Sequence, residues 1–154
     1  MPMYKLIACD LDETLLTSDS KISKENVEAI HKAKILGVKF VLATGRGYED
    51  VQNILKEIDL HDKEDEYVIS FNGGAVTENK NNKLLYYQGI SFEFADYLYR
   101  KGLEYDVCIH VYTKDDVFVY NIDEEEREHL EKRIEFIEIF NDNLNPELFI
   151  AFCG

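Results

Sequence analysis

Two aspartates separated by a single leucine, Asp10 and Asp12, carry the clearest chemical signal in the sequence. They follow a short apolar run over residues 6–9 (LIAC), which is typical of a buried strand in a parallel sheet. Two carboxylates this close need a cation or a shared proton to relieve their repulsion. Mg²⁺ commonly combines one or two carboxylates with a substrate phosphate and water. One aspartate could therefore attack phosphorus while the other transfers a proton, although an isolated pair of this kind is more often two solvated loop acids.

Polar residues also follow the second and third predicted strands. Thr44 can donate its hydroxyl to a phosphoryl oxygen, and Gly45 lets the backbone approach a ligand closely. Arg46 is either a substrate contact or an ordinary surface residue of a strand-to-helix turn. Asn72 can donate to a substrate oxygen or stabilise its own turn. Because ligands bind at the carboxyl ends of strands in open α/β sheets, three polar signals at three such ends predict one site.

The predicted elements that position these residues alternate between strands and helices. This order favours parallel strands with right-handed crossovers, as in a Rossmann-like α/β core. The pattern then changes to α+β, with a predicted boundary near 88–90 that separates residues 1–88 from residues 89–154. Predicted strands span residues 6–9, 38–43, 67–71, 75–77, 84–88, 107–112, 117–121, 136–140 and 148–152, and predicted helices span residues 23–36, 48–58, 91–102 and 124–134.

Composition excludes several classes of partner. The formal net charge of -14 disfavours nucleic acid and anionic membranes, since binding to them draws on Lys and Arg. No apolar run approaches the length of a membrane span, and the N-terminus lacks the apolar segment of a signal peptide. The three cysteines have no metal-ligand spacing, which favours a reducing, cytoplasmic location. A small phosphorylated metabolite stays compatible with the acidity, because a bound metal ion can reverse the local field.

Three segments resemble the haloacid dehalogenase (HAD) superfamily, and specifically its Cof-type phosphatases. Residues 8–16 (ACDLDETLL) resemble the D-x-D-x-T signature, residues 42–46 (LATGR) the second motif, and residues 69–74 (ISFNGG) the S-x-N-G-A segment. Glu13 stands where many members have glycine, and Gly74 replaces the usual alanine. The resemblance is specific over about residues 4–76, and beyond them it depends only on the α+β pattern expected of a cap domain.

The resemblance implies a role for each matching residue. Asp10 would be the nucleophile and a Mg²⁺ ligand. Asp12 would be the general acid and base, and its backbone carbonyl would also meet the metal. Thr44 would bind the phosphoryl group, and Arg46 and Asn72 would reach the substrate. The implied activity is Mg²⁺-dependent hydrolysis of phosphate monoesters, such as sugar phosphates, through an aspartyl-phosphate.

Two parts of the family's active site are missing from the sequence. The family also uses a lysine and a G-D-x-x-N-D-like acidic motif, both of which follow the cap. Neither residues 114–116 (KDD) nor residues 141–143 (NDN) has the spacing and preceding strand of that motif. We therefore expect the chain to be the N-terminal piece of a longer protein, with little phosphatase activity alone, because losing one strong electrostatic group costs on the order of 10²–10³ in rate.

Three other interpretations fit part of the sequence. A sugar phosphomutase of the same superfamily would share this first half of the site. A receiver-type phosphoacceptor domain expects adjacent acids and an aspartate after the third strand, but here Leu11 splits the acids and Asn72 stands at that strand end. A non-catalytic binding or assembly module could retain the half-fold, and an exposed sheet edge would then promote a homodimer.

Overall fold

The computed structural model describes residues 4–113, 116–132 and 134–146. The chain divides into two compact units, and the boundary along the chain falls between Gly89 and Ile90. The assignment of residues 1–88 to a catalytic core and residues 89–154 to a cap stays a prediction.

The first unit is built on a five-stranded mixed sheet in the order β1-β2-β3-β4-β5. The first three strands are parallel, and β4 and β5 form an antiparallel hairpin that pairs with β3. The predicted α/β class, parallel strands and hairpin are thus confirmed. The strands are β1 (Leu6–Asp10), β2 (Lys39–Ala43), β3 (Tyr67–Ser70), β4 (Ala75–Glu78) and β5 (Lys83–Tyr87), and the helices are α1 (Lys24–Ile35) and α2 (Gln52–Glu57).

Helix α1 begins and ends at residues whose chemistry suits those positions. Ser23 precedes it, and the Ser23 side chain accepts a hydrogen bond of 3.1 Å from the Asn26 backbone N–H. Gly37 follows it with φ +78°, a left-handed conformation that glycine adopts without penalty. These two residues bound the helix that was predicted over residues 23–36.

The core of the first unit lies between the helices and the middle of the sheet. Register pairs Leu42 of β2 with Val68 of β3, so these two buried side chains lie side by side. Helix α2 and the turn after it contribute buried apolar side chains to the same cluster. The main members are Leu11, Leu15, Leu42, Val51, Leu55, Ile58, Leu60 and Val68.

Strand β1 differs from the prediction of a buried strand. The side chains of Leu6 and Ile7 are 54% and 42% exposed. The reason is position: among the described residues β1 is an edge strand that pairs only with β2. An apolar run alone indicates a strand but does not say how many neighbours it has.

The helix predicted over residues 48–58 is shorter in the structure and begins at Gln52. The preceding residues form turns, in which Asp50 Oδ2 accepts a hydrogen bond of 3.1 Å from the Gly47 N–H. The ring of Tyr48 packs edge-on against Phe71, with 6.1 Å between centroids. These contacts hold residues 47–50 against the turn that follows β3, which competes with a helical conformation.

The second unit contains a three-stranded sheet in the order β6-β7-β8 and two helices. Tyr99 and Ala95 of the first helix are buried in a cluster that includes Leu144. Asp123 precedes the second helix, and its side chain accepts a hydrogen bond of 2.8 Å from the Glu126 N–H. The elements are α3 (Phe92–Gly102), β6 (Ile109–Tyr112), β7 (Val117–Tyr120), α4 (Glu124–Leu130) and β8 (Ile137–Ile139).

Several predicted boundaries in the second unit were too wide. Helix α4 ends at Leu130 rather than near residue 134, and β8 covers only the middle of the predicted strand. The strand predicted over residues 148–152 lies outside the described residues. None of the helices formed by the described residues is long and apolar enough to cross a membrane.

Candidate active site at the strand ends

The ends of the three parallel strands lie in one row across the sheet. Register places Asp10 of β1 opposite Ala43 of β2, and Ala43 opposite Ile69 of β3. The turns that carry Asp12, Thr44 and Asn72 therefore leave the sheet at the same edge. This row is the geometric basis for one shared site.

Asp10 is held by the turn that follows β1. The turn spans residues 11–15 and is closed by a hydrogen bond of 2.9 Å from the Leu16 N–H to the Leu11 carbonyl. Glu13 within it has φ 59°, which reverses the chain direction. The reversal brings Thr14 back to Asp10, so that Thr14 Oγ1 donates a hydrogen bond of 2.8 Å to Asp10 Oδ2. The rotamer of the Asp10 carboxylate is therefore set by its own turn.

Asp12 forms a bidentate ion pair with Arg46, which lies after the neighbouring strand. Arg46 Nε donates to Asp12 Oδ2 at 3.0 Å, and Arg46 Nη2 donates to Asp12 Oδ1 at 2.5 Å. The side chain of Arg46 is only 13% exposed and that of Asp12 is 31% exposed. Partial burial strengthens such a charge-assisted pair, because water screens it less. Both carboxylate oxygens of Asp12 are thus engaged.

Thr44 is buried at the centre of the row. Its N–H donates to the Ile69 carbonyl at 3.0 Å, and its carbonyl accepts from the Asn72 N–H at 3.1 Å. Its Oγ1 accepts a hydrogen bond of 3.1 Å from the Arg46 N–H. The hydroxyl is oriented by that bond and has one hydrogen to donate.

Gly45 and Asn72 are in close contact. A Cβ at position 45 would lie 3.1 Å from Asn72 Oδ1, tighter than most real Cβ contacts. Asn72 itself has φ 54°, a left-handed conformation that asparagine tolerates better than most residues. The missing side chain at Gly45 lets the Asn72 amide lie against the backbone of the neighbouring turn.

Comparison with known proteins decides which family this geometry belongs to. The family model described as haloacid dehalogenase-like hydrolase matches residues 7–151. The chain belongs to this family. The resemblance found in the three sequence motifs is thus confirmed.

Two curated relatives and one solved structure illustrate the haloacid dehalogenase-like relationship. The Bacillus subtilis protein YxeH is 36% identical over 79% of this chain and 44% of its own length. The HMP-PP phosphatase of Yersinia pestis is 34% identical over 75% of this chain and 41% of its own length. A haloacid dehalogenase-like hydrolase from Bacteroides thetaiotaomicron matches with a TM-score of 0.73 at 26% identity, over 90% of this chain and 52% of that one. The chain therefore spans about half the length of the proteins it matches.

The thiol of Cys9, next to the predicted nucleophile Asp10, lies in surroundings that make it a poor nucleophile. Burial, and secondly the neighbouring Asp10 carboxylate, raise the pKa of the Cys9 thiol. Its Sγ lies 3.2 Å from the Asp10 carbonyl oxygen, to which it donates a hydrogen bond. A thiol held protonated is a poor nucleophile at neutral pH.

The donor set at the strand ends fits part of a magnesium site. The carboxylate of Asp10 and the backbone carbonyl of Asp12 are oxygen donors, which Mg²⁺ prefers. The side-chain oxygens of Asp12 are occupied by Arg46. In residues 4–113, 116–132 and 134–146, no three His, Cys, Asp or Glu side chains form a group that could hold a metal ion.

The structure brings all six predicted site residues to one edge of the sheet. Asp10 is the last residue of β1 and Asp12 lies in the turn after it. Contacts join Thr44, Gly45 and Asn72 across the next two turns. Arg46 is in the same place but has a partner that the sequence did not indicate, because its guanidinium lies on Asp12. The role of each residue in catalysis stays a prediction.

Sequence analysis missed two residues that shape this edge. The ring of Phe71 lies close to Gly47, where a Cβ would approach it to 3.3 Å, and Phe71 has φ 51°. Asp50 fixes the same turn through the Gly47 N–H. A glycine at position 47 indicates that another group packs closely against the backbone there. The local sequence does not show that this group is Phe71.

Proposed function

We propose that the chain provides the nucleophile half of a phosphatase active site that hydrolyses phosphate monoesters through an aspartyl-phosphate. The observation that carries this proposal is the row of strand ends, in which Asp10 lies opposite Ala43 and the Thr44 hydroxyl comes one residue later. The family assignment supports hydrolase chemistry, and the names of both curated relatives contain the word phosphatase.

The proposed reaction has two steps. In the first, a carboxylate oxygen of Asp10 attacks phosphorus, the bond to the leaving oxygen breaks, and Asp12 gives that oxygen a proton. In the second, water attacks the phosphorus of the aspartyl-phosphate, Asp12 accepts a proton from the water, and inorganic phosphate leaves with the Asp10 carboxylate restored. Splitting the transfer in this way replaces one difficult displacement by two easier ones.

The phosphoryl group would be bound by the turns after β2 and β3. Thr44 would donate its hydroxyl, Gly45 would allow close approach of the backbone, and the Asn72 amide would donate to an oxygen. Backbone and hydroxyl donors in fixed positions stabilise charge with little reorganisation. The hydrogen bonds that fix Thr44 from both neighbouring turns support this role.

Mg²⁺ is the cofactor that we assign to this site, with the Asp10 carboxylate and the Asp12 carbonyl as its ligands from this chain. When bound, the ion neutralises phosphoryl charge that would otherwise repel two aspartates. Among the described residues, no three His, Cys, Asp or Glu side chains lie close enough together to form a metal site by themselves.

The proposed substrate is a small phosphorylated metabolite, with sugar phosphates as the first class to test. One relative is named HMP-PP phosphatase, so HMP-PP is a second compound to test. A net charge of -14 supports a small ligand held locally rather than an extended polyanion.

Trapping the intermediate tests the proposal. The protein would be mixed with Mg²⁺ and an aryl phosphate, quenched in acid, and digested for mass spectrometry. We expect one phosphoryl group on Asp10 in the unmodified protein and none in Asp10→Asn. In Asp12 variants that block the second step, the phosphoryl group should remain on Asp10. Phosphorylation elsewhere, or turnover unchanged by Asp10→Asn, would contradict the mechanism. For the 154-residue chain alone we expect little steady-state turnover.

An assembly role is a second candidate, supported by the exposed edge of the sheet. Leu6 and Ile7 of β1 are 54% and 42% exposed, and β1 pairs only with β2 among the described residues. An uncovered edge strand promotes pairing with another chain. Size-exclusion chromatography with light scattering would distinguish a homodimer from a monomer. Ile7→Lys should dissociate a homodimer that forms through β1.

A further inference from the structure

The ion pair between Asp12 and Arg46 raises a chemical conflict within the proposed reaction. The Arg46 guanidinium occupies both carboxylate oxygens of Asp12 in a bidentate pair. The first step, however, requires an oxygen of Asp12 to carry a proton to the leaving group. With both oxygens on Arg46, Asp12 is not available for that task.

Arg46 is also anchored at the proposed phosphoryl site through its backbone. Its N–H donates to Thr44 Oγ1 at 3.1 Å, and its carbonyl accepts from the Phe71 N–H at 3.2 Å. The backbone of Arg46 is therefore fixed between the turns after β2 and β3. From that anchor, rotation of the side chain would carry the guanidinium from Asp12 toward the ligand of Thr44.

The geometry points to an exchange of partners: Arg46 pairs with Asp12 in the empty site and transfers to the phosphoryl oxygens when a ligand binds. The inference rests on the proposed phosphoryl site and assigns Arg46 a second role there. An incoming phosphate offers at least as much negative charge as the Asp12 carboxylate, and guanidinium groups bind phosphate in the same bidentate way. Release of Asp12 then coincides with ligand arrival.

The exchange makes Asp12 an internal competitor of the ligand. A ligand that must displace an existing partner binds more weakly. Its apparent affinity is the intrinsic affinity multiplied by the fraction of sites in which that partner has already left. Removing the competitor should therefore tighten binding. Asp12→Asn keeps the shape of the side chain but gives up the charge that holds the guanidinium, so the variant missing the proposed acid should bind phosphate better than the unmodified chain.

The experiment is a double-mutant cycle in which calorimetry measures the binding of inorganic phosphate in the presence of Mg²⁺. The unmodified chain, Asp12→Asn, Arg46→Gln and the double variant form the cycle. We expect Asp12→Asn to tighten binding about tenfold, the equivalent of one charge-assisted hydrogen bond. In the Arg46→Gln background the same change should have less than about a third of that effect, because only the general repulsion of one acid is removed.

Equal gains from Asp12→Asn in both backgrounds would overturn the exchange, because Arg46 would then not contact the phosphate. Should Arg46→Gln fail to fold, Arg46→Lys keeps the charge without bidentate geometry and serves in its place. A second readout is the ¹⁵Nε resonance of Arg46, which should move on phosphate addition and stay fixed if the ion pair is permanent.

Thr44→Val separates failure of the exchange from failure of the site. Weakened phosphate binding in Thr44→Val together with a cycle that shows no coupling would reject the exchange alone. Phosphate binding that is absent from the unmodified chain, or indifferent to Thr44→Val, would reject both the proposed phosphoryl site and the exchange.

Discussion

Thr14 Oγ1 donates a hydrogen bond of 2.8 Å to Oδ2 of Asp10, four residues earlier in the chain. The contact depends on the left-handed Glu13, which turns the chain back toward the end of β1. It distinguishes the two oxygens of the proposed nucleophile, because Oδ2 is held by Thr14. In the proposed mechanism, the attack on phosphorus would therefore come from Oδ1.

Removing that hydrogen bond should slow phosphoryl transfer without abolishing it. We expect Thr14→Val to lower kcat for an aryl phosphate roughly 10- to 100-fold, since a hydrogen bond to a charged group contributes about 1.5–3 kcal/mol. Thr14→Ser retains the hydroxyl and should stay within about threefold of the unmodified rate. Wild-type kcat in Thr14→Val would show that the contact does not orient the nucleophile.

Glu13 is the residue in this turn whose backbone conformation its side chain least suits. It has φ 59°, and a residue with a Cβ pays roughly 1–2 kcal/mol there. Glu13→Gly should raise the free energy of unfolding by about 0.5–1 kcal/mol, measured by urea denaturation. Glu13→Ala is the matched control: it removes the same charge but keeps the Cβ, so it should give little of that gain. Equal effects from both variants would attribute the change to charge.

The local sequence was sufficient to predict the elements and the edge where they meet. Ser23 and Gly37 bound α1 because capping and left-handed turns are local properties. The strand ends at Asp10, Thr44 and Asn72 followed from apolar runs that stop at polar residues. Each of these inferences depends on residues within a few positions of one another.

Contacts between distant segments were not readable in the same way. Asp12 and Arg46 are 34 residues apart, and which of several nearby groups the guanidinium binds depends on rotamers in three dimensions. The exposure of Leu6 likewise depends on which strands flank β1, and an apolar run does not encode that. The fold was therefore predictable from pattern, whereas the pairing of charges within the site was not.

Gly45 should be intolerant of even a methyl group, and the reason is Asn72. A Cβ would lie 3.1 Å from Asn72 Oδ1 and 3.4 Å from its Nδ2, so the amide must move. We expect Gly45→Ala to weaken phosphate binding about tenfold while the circular dichroism spectrum is unchanged. Asn72→Gly, which removes the obstructing amide, should make Gly45→Ala nearly neutral in that background. If Gly45→Ala weakens phosphate binding equally in the Asn72→Gly background, then Gly45 contacts the ligand directly.

Tyr99 in α3 is a buried titratable group with a strongly raised pKa. It is 1% exposed and donates a hydrogen bond of 2.7 Å to the Asn141 carbonyl. Burial, and to a smaller extent the nearby Tyr120 and Asp142, raise the pKa of Tyr99 to about 12. The ionised phenolate is therefore disfavoured in the folded second unit relative to the unfolded chain.

The raised pKa of Tyr99 predicts how stability depends on alkaline pH. In the unfolded chain a tyrosine ionises near pH 10, so its stabilising contribution is complete below about pH 10 and is lost as pH rises toward 12. We expect the free energy of unfolding of the second unit to fall by roughly 2–3 kcal/mol across that window. Tyr99→Phe should flatten this part of the decline, whereas Tyr97→Phe, at a side chain that is 55% exposed, should not. Denaturant titrations at fixed pH values would decide it, and an unchanged slope in Tyr99→Phe would assign the alkaline transition to other groups.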